Sequence, residues 1–256
     1  MNYSNYPLYI KFDEIPVLAF CTTRHGGLSL WPFETCNISF NTEDRPEIVR
    51  ENRIITAARM KVPVERFVFL NQVHGDNVLY VGASDCGKAF QVPVLEGDAM
   101  FTDRTGICLA VMLADCVGVI IFDSEKNISG ICHSGWKGCF LNICGKLVDK
   151  MVENCGCKPD NLIACISPSI CYRCYTVSAQ LAEKFGGVYR DFVIENNKNY
   201  HLDLKGIVVS QLAEKGISRK RIFAYDICTG ENTHIFYSHR AEENTGRFMF
   251  GIYVDA

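Results

Sequence analysis

The chain is short of several features that would each have assigned it to a class. No stretch of Lys and Arg is dense enough to make a basic patch, and the formal charge is only -3 over 256 residues. Nucleic acid and anionic membrane surfaces both demand clustered positive charge, so neither is an expected partner. No apolar run approaches the roughly 18 residues of a membrane span. The opening MNYSNYPLYIKFDE also lacks the basic start and apolar core of a secretory leader.

Cysteine, by contrast, is plentiful, with 14 residues. Secreted disulfide scaffolds are small and poor in core, whereas this chain is 48% hydrophobic and long enough to bury a full core. Cys108, Cys132, Cys144 and Cys165 interrupt apolar runs, as small hydrophobes do. A reducing, cytoplasmic setting fits this usage better than an oxidising one.

The stretch from Gly97 to Gly138 organises the rest. It holds three short β-branched runs, 107–113, 117–122 and 128–132, each bounded by turn residues, and is expected to form an antiparallel meander. Asp115 and Cys116 stand at the first joint, and His133 stands where the third run gives way to Ser-Gly-Trp-Lys-Gly. If Phe122 faces Asn127 across a tight turn, Cys116 falls opposite His133. Cβ atoms so placed are roughly 4.5–5.5 Å apart, close enough to share a metal. A register one residue different would separate them.

Taken in order, strands are expected at 8–12 and 17–23, followed by Thr-Thr-Arg-His-Gly-Gly-Leu-Ser. That segment is either a plain hairpin turn or a loop presenting Arg24 to an anionic ligand. A helix should start at Asp44 with Pro46 just inside and run to Met60, with Ile48, Ile54, Ile55 and Ala58 on its apolar face and its charges in solvent. A strand at 67–70 ends in Asn-Gln-Val-His-Gly, which leaves His74 just past a strand end; another is expected within 78–92.

Residues 137–155 have the pattern of one amphipathic helix, with Phe140, Ile143, Cys144, Leu147, Val148 and Met151 on its stripe. The loop from Ser134 to Gly138 would then lie at a helix N-terminus, where free N–H groups suit an anion, unless its glycines merely let the chain turn. Further strands are expected at 162–167, around 192–204, at 222–225 and at 248–254, with helices at 179–185 and 204–215. A polar loop carries His234, His239 and Arg240. Cys171 and Cys174 have Cys-x-x-Cys spacing, and Cys155 with Cys157 is a nearby pair. A structural zinc needs four ligands, and no second well-spaced pair with histidines follows, which argues against a zinc knuckle.

Read together, Thr22-Thr23-Arg24 with Gly26-Gly27 and Ser29, Gln72-Val73-His74-Gly75, Gly97-Asp98-Ala99-Met100, Ala114-Asp115-Cys116, His133-Ser134-Gly135-Trp136, Cys174-Tyr175, Ser238-His239-Arg240 and Thr245-Gly246-Arg247 resemble the laccase-domain family. That family is also called the multicopper polyphenol oxidase or peptidoglycan-editing-factor family. The resemblance spans essentially the whole chain, which implies a single domain over 1–256. It implies an α+β fold, a layered sandwich of mixed β-sheets flanked by helices, like the toxin domain of cytotoxic necrotizing factors. It also implies a Zn2+ site at His74, Cys116 and His133, with Cu2+ as an alternative metal, since copper outcompetes zinc at a given N/S site.

The implied activity is phosphorolysis of adenosine, inosine and methylthioadenosine, together with deamination of adenosine, so purine nucleosides and phosphate would be the partners. Within that reading Arg24 or the Ser134–Gly138 amides would hold the anion, with Ser134, Gly135 and Arg240 as substrate contacts, and Asp98 and Asp115 would carry protons, orient a ligand or fix a turn. The chain departs from the family wording in having Ser134 where Ala is common, Ala241 in place of an Arg, and Arg173 where a second adjacent Cys is usual.

Three rival readings follow. Six histidines are fewer than a multicopper cluster spends on its metals, which weighs against phenol oxidation. A metal-free hydrolase would use Cys116 as nucleophile and His133 as base. A non-catalytic role in peptidoglycan-precursor quality has no independent sign in the residues.

Overall fold

The structure is a computed structural model that describes residues 7–256; residues 1–6, part of the stretch inspected for a leader, lie outside it. Two mixed sheets stack face to face between helices. The five-stranded sheet has the order β1-β2-β14-β6-β3, built from β1 (Tyr9–Lys11), β2 (Leu18–Thr22), β14 (Phe248–Tyr253), β6 (Cys108–Leu113) and β3 (Phe67–Phe69). The six-stranded sheet has the order β13-β9-β7-β8-β5-β4, built from β13 (Ile222–Ala224), β9 (Leu162–Ile166), β7 (Val117–Asp123), β8 (Ile128–Ser134), β5 (Ala99–Thr102) and β4 (Val78–Tyr80). A small third sheet joins β10 (Thr176–Val177), β12 (Asn199–Leu202) and β11 (Val193–Asn196).

Strand alternation explains the layering. One face of the five-stranded sheet (Leu109, Val111, Leu113, Phe250) meets one face of the six-stranded sheet (Ile120, Phe122, Ile131, Cys165) in a shared buried cluster. The opposite residues of the six-stranded sheet (Val117, Val119, Ile121, Cys132) pack on α3 (Ile143–Cys155), α4 (Ala179–Gly186) and α5 (Leu204–Glu214). Phe20, Cys108, Ala110 and Met249, on the outer face of the five-stranded sheet, pack on α1 (Pro46–Met60). This is the α+β layered sandwich of mixed sheets with flanking helices that was expected. Every cysteine is a free thiol, and Cys108, Cys132, Cys144 and Cys165 are fully buried.

Three expectations need correction. The meander is broken: β6 pairs with β14 and β3, while β7 pairs with β8 and β9, so the chain crosses from one sheet to the other at Ala114–Cys116. The helix expected over 137–155 is two, α2 (Trp136–Phe140) and α3, because Asn142 takes a left-handed φ of 57° and caps α3 with its side chain. On α1 the buried stripe is Val49, Asn52, Arg53, Thr56, Ala57 and Met60, not the isoleucines. The polar members win burial because they satisfy loop carbonyls. Asn52 donates to Asn37 O, and Arg53 donates to Ile38 O and Ala89 O with its guanidinium 4.0 Å from the Phe69 ring centre.

The β7–β8 hairpin also differs in register. Asp123 pairs with Ile128, and the Asp123 carboxylate accepts the N–H groups of Glu125 and Lys126, so β7 runs one residue further than expected. Gly118, rather than Cys116, lies opposite His133. The shift is by two positions, which conserves the face. Cys116, one step beyond β7, therefore stays on the side of His133 and reaches it diagonally.

Candidate metal centre and its cavities

Each of the three expected metal residues arrives from a different place in the sandwich. His74 follows β3 in the five-stranded sheet, Cys116 sits on the crossing between sheets, and His133 belongs to β8 in the six-stranded sheet. Their ligand atoms all lie within 4.8 Å of one another. His74 Nε2 is 4.0 Å from Cys116 Sγ, and the two imidazoles meet edge to face with ring centres 4.7 Å apart.

The second layer of contacts explains why the triad holds this shape. Asp98, fully buried ahead of β5, accepts His133 Nδ1–H at 2.8 Å, which leaves Nε2 as the ring atom for a ligand. The same carboxylate accepts the backbone N–H groups of Val73, His74 and Gly75, and so holds His74 in its left-handed conformation (φ 57°). Asp98 thus orients both histidines. Burial alone would raise its pKa, but His133 and those amides outweigh it and hold the carboxyl below its ordinary value.

Gly135 contributes by what it lacks. A Cβ there would stand 2.9 Å from His74 Cδ2 and 3.1 Å from Cys116 Sγ, inside normal contact distance of both. Asp115, at φ 87°, is in a backbone region that costs a residue with a side chain of order 1 kcal/mol or more. Its carboxylate offsets this by accepting from Thr229 Oγ1 at 2.6 Å, Ser238 Oγ at 2.7 Å and the Arg240 N–H at 2.7 Å. The corner that carries Cys116 is thereby tied to the C-terminal loop.

Electrostatics follow from the geometry. Burial opposes ionisation of Cys116, yet His133 and then His74 overcome it and bring the thiol down to about 6. Burial likewise disfavours a charged His133, but Cys116 and Asp98 push its pKa up to about 9. Each shift favours the charged form of its group, so the two support one another as thiolate and imidazolium. Two imidazoles and one thiolate, three protein ligands with room for a fourth, could hold a metal ion with an open position.

Two cavities meet at this triad, and both are lined by His74, Ala114, Cys116 and His239. One, of about 330 Å³, is polar, with Ser39, Asn41, Gln72 and Arg247 in its wall. The other, of about 240 Å³, is walled by Trp136, Ile170, Tyr175, Leu204 and Arg240. Arg240 lies over the Tyr175 ring at 4.9 Å and donates to Thr176 O at 2.7 Å. His239 Nδ1–H donates to Glu243 O at 2.6 Å, which leaves Nε2 available.

The remaining expected residues fare differently. Arg24 lies elsewhere, in a cavity of about 660 Å³ that shares no lining residue with the other two. Its guanidinium is engaged by Glu242 Oε1 at 2.7 Å, by Glu34 O at 2.9 Å and by the Tyr237 ring at 4.7 Å. Arg24 is therefore not brought to the triad with the other expected residues. Ser134 is fully buried, with Oγ 3.1 Å from Cys139 Sγ, and lines neither cavity, and the five-residue α2 offers no developed N-terminus behind it. Asp98 and Asp115 both have their carboxylates engaged in hydrogen bonds that orient a histidine or fix a turn. Trp136, Tyr175, Arg247 and Gln72 line the site without having been singled out for it. All four fall in or beside the ordered motifs, which was the available signal.

A second convergence lies nearby. Cys171, Cys174, Cys228 and Glu231 bring their ligand atoms within 4.8 Å of one another, whereas Cys155 and Cys157 lie at the far end of β7 by Asp123.

Comparison with known proteins agrees along the whole length. The family model described as multi-copper polyphenol oxidoreductase laccase matches residues 18–255. The purine nucleoside phosphorylase YlmD of Bacillus subtilis is 31% identical, covering 91% of this chain and 87% of the relative. A purine nucleoside phosphorylase of Deinococcus radiodurans is 34% identical over 88% and 85%. Among solved structures, the Bacillus licheniformis hypothetical protein YfiH superposes with a TM-score of 0.93 at 31% identity, covering 98% of this chain and 97% of that one. YlmD of Geobacillus stearothermophilus superposes with a TM-score of 0.92 at 28% identity, over 99% and 98%. The chain belongs to the laccase-domain family, together with the YlmD and YfiH proteins.

Proposed function

We propose that the chain is a zinc-dependent purine nucleoside enzyme, working as one domain over 1–256, that cleaves adenosine, inosine and methylthioadenosine with phosphate and also deaminates adenosine. The observation that carries the reading is the pair of cavities joined at His74 and Cys116, with His133 in the wall of the polar one. One has the aromatic and apolar walls that a purine needs; the other has the neutral donors and the arginine that a ribose and an anion need. The names borne by the relatives from Bacillus subtilis and Deinococcus radiodurans point the same way.

When bound at the triad, zinc supplies Lewis acidity and lowers the pKa of a water towards about 7. The chain's own residues supply the rest. In phosphorolysis a phosphate oxygen bonds to C1′ as the bond from C1′ to the base breaks, and the base leaves with the electron pair and takes a proton. Trp136 and Tyr175 would stack the base, and Arg247, already fixed by the carbonyls of Thr245 and Gly246, would hold phosphate. His239 Nε2 would carry the proton. Deamination, in which water replaces the exocyclic amine and ammonia leaves, uses the same base pocket.

The rivals are weighed by the ligand count. Among the described residues, the two clusters able to hold a metal contain only two histidines between them, His74 and His133. That favours one mononuclear site over a copper cluster. The experiment is direct: measure zinc in protein purified without added metal, then follow ribose 1-phosphate, inosine and free base from adenosine and phosphate. Wild type should carry zinc and form products, while Cys116→Ala should do neither at the triad. Equal turnover by the variant would overturn the proposal, and activity from metal-free protein would assign the thiolate–imidazolium pair to a hydrolase instead.

A further inference from the structure

We propose that Cys171, Cys174, Cys228 and Glu231 form a second, structural zinc site. The sequence supplies them as two turns of equal spacing, Cys171-Tyr172-Arg173-Cys174 and Cys228-Thr229-Gly230-Glu231. The fold lays these turns against each other. Ser169 and Cys228 form a parallel bridge, and the Cys174 side chain lies in contact with the open face of Gly230, whose added Cβ would stand 3.5 Å from Cys174 Cβ.

The distances suit a tetrahedral ion. With zinc–sulfur bonds of about 2.3 Å, ligand atoms stand about 3.8 Å apart. Glu231 Oε1 is 3.7 Å from Cys171 Sγ and 3.8 Å from Cys174 Sγ, and all four ligand atoms lie within 4.8 Å of each other. A backbone donor also points at one of the sulfurs. The Cys171 N–H donates to Cys228 Sγ at 3.2 Å, and the backbone turns back after the first pair, with the N–H groups of Cys174 and Tyr175 bonded to Cys171 O. Arg173 donates to Glu231 Oε1 at 3.2–3.3 Å and to Oε2 at 3.4 Å, which fixes the carboxylate beside the sulfurs. Four ligands from two tight turns leave no open position, which makes the site structural rather than catalytic.

Its effect on the fold is specific. Ile170 and Tyr175, at either end of the first turn, wall the purine-side cavity, and Thr229 in the second turn donates to Asp115. A zinc here staples the 169–175 segment to the 228–232 turn directly behind the corner that carries Cys116.

The test counts metal with the first site removed, so that the two sites are read separately. Cys116→Ala, expressed with zinc and passed through a desalting column, should keep about one zinc per chain, and the Cys116→Ala/Cys174→Ser double variant should keep none. Cobalt exchanged into Cys116→Ala should give tetrahedral visible bands with thiolate charge transfer, which Glu231→Gln in the same background weakens and Glu231→Cys restores. A Cys116→Ala chain without metal, one whose zinc survives the Cys174→Ser change, or a freshly purified chain with Cys171 and Cys174 joined as a disulfide would each overturn the assignment. If instead Cys116→Ala keeps all the zinc of wild type, the triad fails as a zinc site and this one stands.

Discussion

The two cysteine-bearing clusters make an instructive pair. At His74, Cys116 and His133 the ligands come from three separate parts of the sandwich, open onto two cavities, and are held from behind by one buried carboxylate, Asp98. At Cys171, Cys174, Cys228 and Glu231 they come from two local turns, close on themselves, and are held by the Cys171 N–H and an exposed Arg173. Openness is the costly property. A triad with a vacant position relies on long-range contacts to keep its geometry, whereas two knuckles need little beyond their own turns.

Perturbing each cluster should therefore have unequal consequences. The largest is expected from Cys116→Ala, which should reduce nucleoside turnover to background while far-ultraviolet circular dichroism and the metal of the second cluster persist; loss of both metals together would merge the sites into one system. Next is Asp98→Asn, which withdraws the anchor of two ligands at once. Zinc affinity at the triad should fall by roughly 10–100-fold, measured by competition with a chromogenic chelator. An affinity unchanged by that substitution would mean that the histidines are positioned by something else.

Gly135→Ala should act on the same triad more weakly, since the new methyl presses on His74 and Cys116 without removing a ligand. Slower zinc uptake with an unchanged melting temperature is the expected signature. A fourth measurement compares the thiols themselves in metal-stripped protein. The Cys116 pKa is depressed to about 6, so its thiolate persists at neutral pH and is lost only as pH falls through that value. Alkylation of Cys116 should then rise with a midpoint near pH 6, while Cys174, pushed up to about 12 first by burial, stays slow at neutral pH. Equal rates would erase the difference. The smallest effect is expected from Thr229→Val, which removes one hydrogen bond to the Asp115 carboxylate. It should cost about 1–2 kcal/mol, seen as a melting temperature lower by roughly 2–6 °C.

How far the sequence carries depended on the range of the interaction. Strands β7 and β8 were legible because apolar runs bounded by turn residues are local signals. The face shared by Cys116 and His133 survived a wrong register because strand parity is insensitive to a shift of two. The split of β6 from β7 was not legible, since nothing in Ala114–Cys116 states which sheet the next strand will join. The surroundings of Arg24 were not legible for a related reason: its partners, Thr233 and Glu242, lie more than 200 positions away. Cys171 and Cys174 were noticed and set aside for want of a second pair, because their partners are Cys228 and a glutamate, the latter 57 positions from Cys174, where a search for cysteine and histidine pairs does not look.

The crossing at Ala114–Cys116 has one more consequence. Because His74 hangs from one layer, His133 from the other and Cys116 from the thread between them, the triad does not exist in either layer alone. If the triad holds a metal as proposed, ion capture there would come after the layers have docked, and metal uptake would time the last stage of refolding rather than start the first.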